Sequence, residues 1–106
     1  MNANFPESDW RVFRELREVA LERFCKRVLE KIGHMTADGT KTFHARYLEV
    51  YKYIDDQDHH LGNAFNNPRR SAALMQLITM ISFDLITDEE LLRFTERTRS
   101  AVELLR

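Results

Sequence analysis

Residues that interrupt helices are scarce in this sequence. Its 106 residues include three glycines and two prolines, and Gly33, Gly39 and Pro68 fall between stretches in which apolar residues recur with helical spacing. Because glycine and proline are the strongest local breaks in helical structure, the chain is expected to form long helices. The sequence predicts an all-α fold, either a four-helix bundle or two helical hairpins packed together.

Residues that start or end helices predict the helix boundaries. Gly33 fits the left-handed residue that follows many helices. Pro68 suits the first turn of a helix, with Asn67 as its N-cap. Thr87 and Glu90 have the spacing of a capping box, which makes this the best-defined helix start. Four helices are therefore predicted, over residues 8–32, 42–65, 68–85 and 88–105.

Length and charge narrow the class of protein. A chain of this length fits one domain, so residues 1–106 are predicted to form a single helical domain, with enough core to fold without a cofactor.

The formal net charge of -1 provides no long-range attraction to nucleic acid. Charged residues near the start argue against a signal peptide, and no apolar run has membrane-spanning length. The lone Cys25 cannot form an internal disulfide, which favours the cytoplasm.

Two helices carry more apolar residues than one core-facing stripe needs. In the first helix a second seam lies beside the main stripe, and the third helix is apolar nearly all round, which is typical of a central or interface helix. We therefore expect a non-catalytic protein-interaction module that associates with itself, most simply as a homodimer, and that could also bind another protein. The candidate interface residues are Val12, Leu16, Val19, Met75, Met80 and Phe83. Their alternative role is to complete the core of the monomer.

A second hypothesis is an anion-binding or nucleic-acid-binding protein. Arg69 and Arg70 follow Pro68 at a predicted helix start, where free backbone N–H groups favour anions. The arginines of the first helix would extend such a site. The acidic start of the fourth helix at Asp88 would repel DNA from a helix-turn-helix, so nucleic acid is the less favoured partner.

A third hypothesis is a metal-binding or enzymatic bundle. The segment from Asp55 to His60 is the densest group of possible ligands, and such a protein would use Asp55, Asp58, His59 and His60. Helical spacing pairs Asp55 with His59 and Asp56 with His60, which places only two ligands on each side. A di-iron bundle needs paired Glu-x-x-His motifs, and the sequence contains none. Cys25 has no identifiable base to activate it. We therefore expect a solvated polar patch here, with no catalytic residue and no metal site.

One charged residue interrupts the apolar stripe of each of the first two helices. Arg17 lies among the apolar residues of the first helix, and Asp58 lies among those of the second. An antiparallel hairpin that places Phe24 opposite Tyr51 also places these two charges opposite each other. The sequence therefore predicts a structural ion pair between Arg17 and Asp58, of the kind in which a carboxylate accepts two bonds from a guanidinium.

Overall fold

A computed structural model describes residues 5–106, and this part of the chain contains helices and no strand. The prediction of an all-α fold is confirmed. The elements are α1 (Glu7–Thr36), α2 (Phe43–Phe65), a short 3-10 turn (Arg70–Ala72), α3 (Ala73–Ser82), α4 (Asp88–Leu91) and α5 (Glu96–Leu105).

The predicted first and third helices have different bounds in the structure. α1 continues through Gly33, which keeps a negative φ, and ends at Thr36. The predicted N-cap Asn67 instead has a φ of 52°, so the chain turns sharply after α2. The 3-10 turn follows, and α3 begins only at Ala73.

The predicted fourth helix is two helices. Its start is as expected, because the Thr87 hydroxyl accepts a bond from the backbone N–H of Glu90 and the Glu90 carboxylate accepts one from that of Thr87. This helix, α4, ends after Leu91. Thr95 then caps α5, and its N–H and hydroxyl both donate to Asp9. The second start is therefore set by a contact with α1, far away in sequence.

The hydrophobic core lies at one end of the molecule. It combines the first half of α1, the last residues of α2, and α3 to α5. Its largest fully buried apolar side chains are Phe13, Phe65, Leu77, Met80, Leu85 and Val102. Aromatic rings hold it together, with Phe24 of α1 packed edge-on against Phe65 of α2.

The rest of α1 and α2 extends beyond this core as a helical hairpin. Thirty residues give α1 a length of about 45 Å, which nearly spans the longest dimension of the molecule, 52 Å. The last buried residue of α1 is Phe24, and the first of α2 is Ala64. Among residues 5–106, the distal part of the hairpin is thus two helices thick, with no further layer over it.

The predicted ion pair between Arg17 and Asp58 is not formed. Arg17 donates to the backbone oxygen of Phe65 at 2.7 Å and pairs with Glu18, whereas Asp58 is exposed. Arg46 donates to the backbone oxygen of Thr36 at 2.8 Å. In the register that these contacts define, α2 is displaced along α1 by about two helical turns from the predicted position. The prediction is wrong because it assumed that the whole apolar stripe of α2 faces α1, whereas Phe43, Tyr47 and Tyr51 face solvent.

Candidate interaction surface

The predicted interface on the first and third helices is only partly available. Leu16 and Met80 are core residues, 2% and 0% exposed, so their assignment to an interface is wrong. Val12 and Phe83 are half-buried and pack against the same core. Val19 and Met75 are exposed, at 40% and 59%. The alternative role, completion of the monomer core, thus accounts for most of this set.

Within residues 5–106, α2 carries more large exposed apolar side chains than any other helix. Phe43, Tyr47 and Tyr51 are spaced by four residues, which places them on one side of the helix, and Ile54 continues this stripe. Phe43 is 83% exposed and Tyr51 66%. Val50, Tyr53 and Leu61, which are half-buried, mark the side of α2 that turns towards α1. The sequence pattern places Val50 and Leu61 on the same apolar stripe as the exposed aromatic residues, so only part of the predicted stripe faces solvent.

α1 contributes to the same surface. A groove between the two helices is lined by Cys25 and Leu29 of α1 and by Ile54 of α2. Nearer the turn, Phe43 and Tyr47 line a second depression with Thr36. We call this surface the hairpin face and define it as Cys25, Leu29, Phe43, Tyr47, Tyr51 and Ile54.

The position of α3 explains why the hairpin face has no cover. His60 of α2 packs edge-on against Phe83, just after α3, with ring centroids 5.3 Å apart. Ten residues give α3 a length of about 15 Å, so it reaches only the part of the hairpin next to the core. No element among residues 5–106 lies over the distal aromatic residues, which explains their exposure.

Polar contacts fix the turn between α1 and α2. Asp38 accepts bonds from the N–H and the hydroxyl of Thr40, at 3.0 and 2.6 Å. Lys41 donates to both carboxylate oxygens of Glu49, which raises the pKa of Lys41. The Arg46 guanidinium lies 4.6 Å from the ring centre of Phe43. Phe43 is therefore held on the outside of the hairpin by a defined turn.

The polar patch on α2 has the geometry of a solvated surface. His59 Nδ1 lies 2.8 Å from the backbone oxygen of Asp55, and His60 packs on Phe83. Asp58 lies at the edge of the groove that Leu29 also lines. In the part of the chain that the structure describes, no three His, Cys, Asp or Glu side chains are grouped closely enough to hold a metal ion.

The two arginines after Pro68 have different environments. Arg70 donates to the backbone oxygen of Phe5 and to the carboxylate of Glu7, both at 2.8 Å, so it fixes the start of α1. Arg69 is exposed. The suggested anion site thus retains one of its two guanidinium groups for a ligand.

Three polar residues of α1 have structural roles that spacing did not reveal. Asp9 is 1% exposed and bonds to the start of α5. Arg23 forms two parallel bonds with Glu90, at 2.7 and 2.8 Å, and a third with the Leu85 backbone. Arg27 donates to the backbone oxygens of Phe83 and Asp84. In the sequence these residues are ordinary charges on a helix, because their partners lie more than fifty positions away.

Two results bear on the class of protein. Between Phe5 and Arg106, no helix combines the length and the apolar character required to cross a bilayer. No protein-family model, curated protein or solved structure matches the chain.

Proposed function

We propose that this chain is a non-catalytic protein-interaction module that associates with itself through the hairpin face. The observation that carries the proposal is the outward orientation of the apolar stripe of α2. Phe43, Tyr47 and Tyr51 are large aromatic residues, and each is exposed on the same side of one helix. Contiguous exposed apolar surface of this kind is typical of interaction sites.

The energetics favour burial of this stripe. Burying a large apolar side chain yields about 1.5 to 3 kcal/mol, and two copies would bury two sets. This gain must exceed the cost of association, about 4 to 15 kcal/mol. Six residues on each copy provide enough apolar surface to do so, and the helices that carry them are already ordered.

A second copy is the partner that best fits the shape of the surface. The distal hairpin is a layer of two antiparallel helices with one apolar face, which is half of a four-helix bundle. Two such faces packed around a two-fold axis complete the bundle, and closed two-fold dimers are the commonest oligomers. We also propose that the protein acts in the reducing cytoplasm, because Cys25 lies on this face as a free thiol.

The test is the effect of a charge placed in the centre of the hairpin face. The parent protein should sediment at micromolar concentration with about twice the chain mass of 12.6 kDa. Tyr51→Glu should sediment as a monomer, because its carboxylate would be buried without a partner. The folded monomer should persist, with unchanged helical content by circular dichroism, because Tyr51 is exposed in it.

Leu92→Glu is the matched control. Leu92 is 65% exposed and Tyr51 is 66% exposed, but Leu92 follows α4 and lies outside the hairpin face. This variant should remain dimeric. A monomeric parent protein, or equal loss of the dimer in both variants, would contradict the proposal.

A further inference from the structure

The exposed side of α2 carries hydrogen-bonding groups in a self-complementary order. His44 and Tyr47 precede Tyr51, while Asp55 and Asp58 follow it at the same two distances along the helix. All five side chains are exposed. The first pair offers an imidazole and a phenol, which can donate hydrogen bonds, and the second pair offers carboxylates, which accept them.

From this order we infer that the second copy binds antiparallel, with the two α2 helices crossing at Tyr51. The inference rests on the proposed self-association and specifies its geometry. A two-fold axis beside Tyr51 places His44 of each copy opposite Asp58 of the other, and Tyr47 opposite Asp55. The two tyrosines at the axis face each other.

Apolar residues of α2 also face each other in this arrangement. The axis that pairs donors with carboxylates also places Leu48 opposite Ile54, and both are about half exposed. Donors therefore meet acceptors while apolar residues meet apolar residues. A dimer with the two hairpin turns side by side would instead bring His44 to His44 and leave the carboxylates of Asp55 and Asp58 without donors from α2.

The intramolecular ion pairs leave the imidazole of His44 and the two carboxylates available. Within residues 5–106, the ion pairs do not involve His44, Asp55 or Asp58. By contrast, Lys52 and Asp56, on other sides of α2, pair with each other at 3.2 Å. The helix dipoles add to the preference, because an antiparallel arrangement brings Asp58, in the second half of one α2, near the positive start of the other.

A charge exchange tests the pairing of His44 with Asp58. Asp58→Lys should weaken the dimer about tenfold, since the two symmetry-related contacts between position 58 and His44 are lost. His44→Asp should weaken it similarly, by placing two carboxylates together. The double variant should recover the parent dissociation constant, because the new aspartate faces the new lysine. Asp56→Lys makes the same charge change on another side of α2 and should have little effect.

Cross-linking tests the direction of the two helices. In a Cys25→Ser background, Tyr51→Cys should form a disulfide-linked dimer on mild oxidation, because the two thiols lie beside the axis. Phe43→Cys should not, because it lies about 12 Å from Tyr51 along the helix, which places the two copies of position 43 about 24 Å apart, beyond disulfide reach.

The outcomes separate the inference from the proposed function. A dimeric parent in which Tyr51→Cys fails to cross-link, or in which Phe43→Cys cross-links, would overturn the antiparallel arrangement and leave self-association standing. A dimeric parent whose double charge variant remains as weak as the single variants would overturn the pairing of His44 with Asp58. A monomeric parent would overturn the inference and the proposed function together.

Discussion

Asp9→Ala is expected to lower the free energy of unfolding by about 3 kcal/mol, because the variant leaves buried donors without an acceptor. The Asp9 carboxylate accepts bonds from the Thr95 N–H at 2.9 Å, the Thr95 hydroxyl at 2.7 Å and the Thr98 hydroxyl at 2.5 Å. Both Asp9 and Thr98 are buried. Loss of the carboxylate should therefore release the start of α5 from α1.

The measurement is urea unfolding at one fixed protein concentration, since self-association would itself contribute to stability. Glu7→Ala is the matched control, because Glu7 is also an acidic residue in the first turn of α1 and its pair with Arg70 is exposed. The control should cost less than about 1 kcal/mol. Equal effects of the two substitutions would show that Asp9 acts only through the helix dipole and net charge.

Helix formation could be predicted from the sequence because its signals are local. Scarce glycines and prolines indicated long helices, and Thr87 with Glu90 marked a helix start that the structure confirms. The break before α5 could not be predicted in this way. It depends on Thr95 meeting Asp9, which lies 86 positions away, and no local pattern records such a contact.

The candidate site shows where helical periodicity is insufficient. The pattern correctly placed Phe43, Tyr47 and Ile54 on one stripe, but periodicity identifies an apolar side without naming what covers it. The predicted hairpin therefore assigned this stripe to α1. For the same reason, Leu16 and Met80 were predicted to form an interface, although they lie in the core. A helix with two apolar sides offers two ways to pack, and the structure selects between them.

The second large effect is acid sensitivity that depends on Glu90. The bonds from Arg23, with additional bonds from Thr87, hold the pKa of Glu90 at about 2, below its ordinary value of 4.5. A lowered pKa in the folded state stabilises the protein fully above pH 4.5, and this contribution is lost as the pH falls from 4.5 towards 2. Each pKa unit corresponds to about 1.4 kcal/mol. The side chain of Arg23 is 36% exposed, so solvent screening reduces the contribution of Glu90 to the free energy of unfolding to about 2 kcal/mol.

Glu90→Gln should therefore lower the free energy of unfolding by about 2 kcal/mol at pH 7, and by little at pH 2, where the parent carboxyl is about half protonated and most of its contribution to stability has already been lost. Chemical unfolding at a series of pH values between 2 and 7 measures the difference. Glu89→Gln is the control for net charge, because Glu89 is the exposed neighbour in the same helix turn, and its curve should run parallel to that of the parent. If the stability lost in Glu90→Gln is the same at pH 2 as at pH 7, the contact between Arg23 and Glu90 stabilises the fold by packing and not by charge.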